Sequence, residues 1–251
     1  MTPAHILLLL VAGLAGGAVN AVAGGGTLIS FPALLVAGLS PVTANVTNTV
    51  ALWPGYLSGA VSYRHELRQD WERQRLLSLV AASGAVVGTI VLLTAPASVF
   101  HVLVPYLVLG ATALLAAQPA ISRALARRAS GERHYRRGPL LACVFAASIY
   151  GAYFGGGLGI ILVAVLALCL DADIQHLNGV KTLLALVVNT VAMIGFVIFG
   201  HVDWAAVALV APASFLGGIL GARAAQRLNP MALRAAVVVL GVGIGIRMLA
   251  A

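Results

Sequence analysis

Long apolar stretches alternate with short polar or glycine-rich breaks along the whole chain. A membrane-spanning helix needs about 20 residues to cross a hydrocarbon core of about 30 Å, and most of the stretches approach that length. The pattern therefore predicts an all-α polytopic membrane protein. The predicted apolar segments are residues 5–23, 26–38, 42–63, 76–94, 99–117, 139–154, 157–170, 177–199, 205–222 and 232–249.

Two of these segments, 26–38 and 157–170, are too short to cross a bilayer comfortably, and each begins at a triple glycine. Broken helices survive inside a membrane only where protein or a water-filled cavity supports the exposed backbone. A half-helix that starts after the glycines directs free N–H groups and its positive dipole end at whatever lies there, which suits an anion. The alternative is that the glycines serve close helix packing.

The two halves of the chain repeat this pattern. Asn45, Asn48 and Thr49 follow the first break, and Asn178, Lys181 and Thr182 occupy the matching place after the second. The shift between the copies is 133 residues over most of the chain and 131 at the triple glycines. We expect a first transmembrane repeat at 1–118, a basic linker at 119–138 and a second transmembrane repeat at 139–251. The matching pairs Gly84/Gly88 and Gly217/Gly221 are predicted to pack helices.

The basic residues predict the orientation. The chain has 15 Lys and Arg, 7 Asp and Glu, and a net charge of +8. If each half crosses the membrane five times, the basic segments 64–75, 118–138, 171–181 and 223–234 share one side, and only Arg247 fits poorly. If the short segments merely dip in and return, the arginines of 223–234 move to the other side. The positive-inside rule favours five crossings, with loops 64–75 and 118–138 cytoplasmic and the two halves inverted in a bacterial inner membrane.

Lys181 is the only lysine in the chain. It is interpreted either as a counter-ion to an anionic substrate or as an anchor that snorkels toward the polar break at 171–176. The Asn and Thr residues can bind a substrate, or they can cap and connect helices. The full candidate binding set is Gly24, Gly25, Gly26, Thr27, Asn45, Asn48, Thr49, Gly155, Gly156, Gly157, Asn178, Lys181 and Thr182.

Composition argues against other classes of protein. The chain is 61% hydrophobic and 9% charged, so its polar residues are too few to cover a soluble domain. The sequence has no metal-ligand motif and no nucleophile–base pattern. We therefore expect no catalytic residues, no metal, no cofactor and no nucleic-acid partner, only a small anionic substrate and the lipid bilayer.

The segment NAVAGGGTLISFPALL, followed by ANVTNTVA, resembles the first signature of the sulfite exporter TauE/SafE family of membrane transporters. The segment GAYFGGGLGIILV, followed by LNGVKTLLALVVN, is similar to the second. The resemblance covers essentially the whole chain. It implies a permease of two related halves that exports or imports sulfur-containing anions. The resemblance also implies which residues are site candidates: residues 24–26, Asn45, Asn48, residues 155–157, Asn178 and Lys181. A site shared by the two halves would not be symmetric, because Asn48 stands where the other half has Lys181.

The expected function is a secondary transporter that moves a small anion across the inner membrane by alternating access. Sulfite, an organosulfonate or a related anion is the expected cargo, and coupling is to protons, to sodium or to neither. Two alternatives stay open: an uncoupled channel-like anion facilitator, and a non-transporting membrane assembly partner.

Overall fold

The computed structural model describes residues 1–22, 24–63, 70–128, 137–170, 174–224 and 230–250, and these contain ten α-helices and no strand. Each predicted apolar segment corresponds to one helix, which confirms the all-α fold class. The helices are α1 (Pro3–Val22), α2 (Thr27–Val36), α3 (Pro41–Ser62), α4 (Trp71–Thr94), α5 (Ala97–Arg128), α6 (Arg137–Tyr153), α7 (Leu158–Cys169), α8 (Ile174–Phe199), α9 (Trp204–Ala224) and α10 (Pro230–Ala250).

Five of the described helices, α1, α4, α5, α8 and α9, are long and apolar enough to cross a membrane. Helices α2 and α7 have 10 and 12 residues. At 1.5 Å per residue they reach only about 15–18 Å, roughly half of a hydrocarbon core. The glycine breaks therefore produce two half-length apolar helices, as their sequence predicts.

The helix α5 differs from its predicted boundary. It continues to Arg128, although residues from 119 onward were predicted to form the linker. The segment 120–128 is rich in Ala and Arg, which favour helix, and Pro119 does not end α5. Similarly, α4 begins at Trp71, so Arg73 and Arg75 lie in its first turns rather than in a loop. Residues 64–69 and 129–136 of the predicted basic loops lie outside the described residues.

Glycines bring two pairs of helices into close contact. On α4, Gly84 and Gly88 lie against the backbone carbonyl groups of Phe145 and Ile149 on α6. On α9, Gly217 and Gly221 lie in the same way against α1. A methyl group at any of these four positions would overlap the neighbouring helix. The predicted helix-packing role of both glycine pairs is confirmed.

The helices α3 and α8 pack against each other in antiparallel directions through the middle of the bundle. Val46 contacts Gly200, and Gly59 contacts Thr182. Between these contacts, Trp53 Nε1 donates a hydrogen bond of 2.8 Å to Thr190 Oγ1. As a result, the beginning of α3 lies beside the end of α8, and the beginning of α8 lies beside the end of α3.

Candidate functional site

The two glycine breaks meet inside the protein. Gly24 has a φ of +75°, and a Cβ atom built on it would lie 2.7 Å from the Cα atom of Gly159 in the first turn of α7. A Cβ atom on Gly159 would lie 2.8 Å from the Cα atom of Gly24. Real Cβ atoms do not approach another carbon this closely, because carbon atoms separate to about 3.5–4.0 Å. The contact therefore requires glycine on both sides.

One stretch of α5 covers both breaks. Leu115 lies against Gly25, while Ala111 and Leu114 lie against residues 156 and 157. The exposed backbone of each break is thereby enclosed by protein, as the absence of water in hydrocarbon demands. A polar side chain before each break also forms a hydrogen bond to the backbone of that break. Asn20 Oδ1 accepts a 2.7 Å hydrogen bond from the N–H of Gly26, and the hydroxyl of Tyr150 donates one of 2.5 Å to the carbonyl oxygen of Gly156.

The N-termini of the two short helices are not equivalent. The N–H of Gly26 at the start of α2 is occupied by Asn20, so this end is partly satisfied from within the protein. The N–H of Gly157, the matching residue before α7, has no hydrogen-bond partner among the described residues. Within the described part of the chain, the N–H of Gly159 has no partner either. The start of α7 is therefore the more open of the two helix ends toward an anion.

Lys181 reaches this open helix end. Its Cδ atom lies 3.6 Å from the position of a Cβ atom on Gly159, so its stem passes directly beside the meeting point of the breaks. The side chain is only 4% exposed. No acidic side chain of the described residues forms an ion pair with it, and Asp171 and Asp173 lie outside that part of the chain.

The stem of Lys181 and the N-terminus of α7 are thus buried next to each other. The N-terminus of a helix behaves like roughly half a positive charge, and a charged lysine deep in a bilayer costs at least about 2.5–3.5 kcal/mol. The two groups do not neutralise each other. A bound anion would offset both positive groups. We call Lys181, Gly159 and Gly24 the Lys181 site.

The structure does not bring Asn45 and Asn48 of the first repeat into contact with Lys181. Asn48 lies near the start of α3, whereas Thr182 contacts Gly59 near the end of α3. From Asn48 to Gly59 the helix rises about 16 Å at 1.5 Å per residue. Asn45 instead donates a 2.8 Å hydrogen bond from Nδ2 to the carbonyl oxygen of Tyr153, next to the second break. The oxygens Oδ1 of Asn45 and Asn48 are buried and have no hydrogen-bond partner among the described residues.

The two candidate threonines that follow the Asn residues use their hydroxyl hydrogens inside their own helices. Thr49 donates to the carbonyl oxygen of Asn45 at 3.1 Å, and Thr182 donates to that of Asn178 at 2.7 Å. The identical bond in both copies is the ordinary threonine bond to the preceding turn. Asn178 itself is half-buried one turn before Thr182. These contacts favour helix structure over substrate binding for the threonines.

Sequence reasoning missed a second group of buried polar residues. The side chain of Tyr56 lies close to the polar groups of Thr27, Asn189 and Asn20, and all four residues are buried. We call these four residues the central polar cluster. Only Thr27 was among the predicted site residues. A usable sequence signal existed, because Tyr56 and Asn189 are related by the repeat shift of 133 and are both polar within apolar segments.

Comparisons with known proteins agree on the class of protein. The model of the family described as sulfite exporter TauE/SafE matches residues 9–248. A probable membrane transporter protein, ORF9, of Sinorhizobium sp is 26% identical over 250 residues, covering 98% of this chain and 93% of that protein. A probable membrane transporter protein of Haemophilus influenzae is 24% identical, covering 94% of this chain and 91% of that protein. The probable membrane transporter protein YfcA of Escherichia coli K12 is 24% identical, covering 89% and 81%. No solved structure matches the chain.

Proposed function

Because this chain belongs to the sulfite exporter TauE/SafE family, a family of membrane transporters, we propose that it is a secondary transporter of a small sulfur-containing anion. The proposed cargo is sulfite, an organosulfonate or a related anion, and the proposed location is the bacterial inner membrane. The family and the five candidate spans make it a multi-pass membrane protein. No catalytic step is part of the proposed function.

The observation that carries the proposal is the uncompensated positive charge of the Lys181 site. Lys181 and the open N-terminus of α7 are buried side by side, and the described residues supply no carboxylate to balance them. Such a site attracts an anion and excludes cations. Of the two interpretations of Lys181, counter-ion and snorkelling anchor, its position against Gly159 supports the counter-ion.

We further propose that residues 1–118 and 139–251 are inverted repeats. The helix packing supports this, because α1 packs on α9 in the same way that α6 packs on α4. The corresponding helices α3 and α8 run in opposite directions. Inverted repeats with broken helices that meet at a shared site are typical of secondary transporters. In this arrangement the basic segments 64–75 and 118–138 lie on the cytoplasmic side.

Alternating access is also part of the proposal. Lys181 approaches the second break from α8, and Asn45 approaches it from α3. Because α3 and α8 are antiparallel, the starts of these two helices lie toward opposite faces of the bundle. Rocking of one half against the other would open first one face and then the other. Coupling to protons or to sodium remains part of the proposal.

The test is ³⁵S-sulfite flux into proteoliposomes that contain the purified protein, with protein-free liposomes as the control. Saturable uptake that responds to an imposed proton or sodium gradient would support the coupled transporter. Saturable uptake that ignores both gradients would identify the channel-like facilitator instead. If sulfite, thiosulfate, sulfoacetate and small carboxylates all fail to cross, the proposal is wrong and the assembly-partner alternative takes its place.

A further inference from the structure

The central polar cluster lies at the start of the other half-helix. Thr27 is the first residue of α2, and Asn20 caps the preceding Gly26 N–H. Tyr56 comes from α3 and Asn189 from α8, so four helices each contribute one polar side chain to one place. The cluster lies about 12 Å from Lys181 along α8, at 1.5 Å per residue. The cluster is therefore distinct from the Lys181 site and lies about two helical turns farther along α8.

Asn20 has an unused hydrogen-bond donor in this cluster. Its Oδ1 is occupied by Gly26, but its Nδ2 is buried and makes no hydrogen bond within the described part of the chain. The residue is 7% exposed. A buried amide without a partner loses its hydration and gains nothing in exchange, so native proteins rarely retain one without a reason. A ligand with an acceptor oxygen would satisfy this donor.

The donors of the cluster are uncharged. The Asn20 amide, the Tyr56 hydroxyl and the Thr27 hydroxyl donate hydrogen bonds without carrying a net charge. Asn189 is oriented by a 2.9 Å hydrogen bond from its Nδ2 to the carbonyl oxygen of Ala185. Neutral donors hold an anion less strongly than a charged donor does. A transport pathway needs such a weaker binding site, because a substrate must be able to leave each site as well as enter it.

We propose that the central polar cluster is a second, uncharged anion subsite, which receives oxyanion oxygens passed on from the Lys181 site. This inference rests on the proposed transport function. Asn20 and Tyr56 donate to the oxygens of the anion, and Asn189 fixes the geometry of the subsite. The Lys181 site binds the anion by charge, and the central polar cluster recognises its oxygen atoms as hydrogen-bond acceptors.

The experiment compares two variants of the subsite with a matched control in the full-length protein. Tyr56→Phe removes one hydroxyl and keeps the ring. Asn20→Asp keeps the acceptor for Gly26 but replaces the free donor with a negative oxygen. The control, Thr190→Val, removes one hydroxyl from the next residue after Asn189 and breaks the α3–α8 hydrogen bond from Trp53.

Equilibrium binding of ³⁵S-sulfite is measured in detergent, and its maximal uptake rate is measured in proteoliposomes. Tyr56→Phe is expected to bind sulfite with a Kd within about twofold of the wild type, because the Lys181 site is intact and no charge changes. The maximal uptake rate of both subsite variants is expected to fall at least about tenfold, equivalent to about 1.4 kcal/mol. Thr190→Val is expected to keep more than half of the wild-type rate.

The inference is overturned if Tyr56→Phe, which removes a single oxygen atom and keeps the packing of the ring, transports sulfite as fast as Thr190→Val. It is also overturned if all three variants lose the same fraction of the rate, since that would indicate a packing effect. Failure of the proposed function is a different result, in which the wild-type protein itself neither binds nor transports sulfite, and it would remove the basis of the inference as well.

Discussion

Replacing Gly159 with alanine tests the contact between the two breaks. The added methyl group would lie 2.8 Å from the Cα atom of Gly24, well inside ordinary carbon–carbon contact. Overpacking of this kind costs about 1–3 kcal/mol. Alanine also favours helix over glycine by up to about 1 kcal/mol, which partly offsets the steric cost. The net loss of stability for Gly159→Ala is therefore about 0–3 kcal/mol.

A matched control separates the steric cost from the gain in helix propensity. Gly110 lies within α5, and a Cβ atom built there meets nothing within 4 Å, so Gly110→Ala carries the helix gain without the overlap. The difference between the two variants is the steric cost alone, about 1–3 kcal/mol. For a chain of this size each kcal/mol shifts Tm by about 2–4 °C. Gly159→Ala should thus unfold about 2–12 °C below Gly110→Ala.

The assay is thermal unfolding of both purified variants in the same detergent, followed by sulfite uptake in proteoliposomes. Moving Gly159 away from Gly24 also displaces the start of α7 from Lys181, so uptake by Gly159→Ala should fall below that of Gly110→Ala. Equal Tm values together with equal uptake rates would refute the reasoning, because they would mean that the breaks do not touch in the working protein.

Two further predictions concern residues outside the Lys181 site. Thr182→Val should bind sulfite with a Kd within about twofold of the wild type and lose only about 0.6 kcal/mol of stability, since its hydroxyl bonds within α8; a tenfold weaker Kd would show that this hydroxyl binds substrate. Gly221→Ala places a methyl group 2.5 Å from the Cα atom of Ala18 on α1, so its Tm should fall below that of Gly243→Ala, whose position is open. Equal Tm values for that pair would contradict the α1–α9 packing.

Most of the helical framework follows from the sequence, because bilayer thickness sets the length of an apolar segment. The stretch 5–23 became the helix Pro3–Val22, and the stretch 157–170 became the half-length helix Leu158–Cys169. The helix α5 extends beyond the predicted apolar stretch 99–117, because hydropathy marks where the apolar residues stop. It does not mark where a helix ends, and a segment rich in Ala and Arg continues α5 to Arg128.

The candidate site was only partly accessible from the sequence. Lys181 stood out as a charged residue in an apolar segment, and it is buried beside Gly159 where the breaks meet. Its binding role stays a prediction. The repeat showed that Asn48 and Lys181 occupy equivalent positions in the two halves, but equivalent positions need not be close together in the fold. The antiparallel packing of α3 and α8 carries them toward opposite ends. Asn20 and Tyr56 were missed because a single polar residue in an apolar helix usually serves packing.

The Lys181 site depends on one charge, and the most direct measurement is the affinity for sulfite after that charge is removed. At about 4 Å and an effective dielectric constant near 20, a pair of unit charges is worth about 4 kcal/mol. Part of this is offset by the loss of hydration, so Lys181→Gln should raise the Kd for ³⁵S-sulfite at least about tenfold. Arg234→Gln removes a charge that hydrogen-bonds to Gln118 on α5 and should leave the Kd within about twofold. A folded Lys181→Gln protein with wild-type affinity for sulfite would contradict the account.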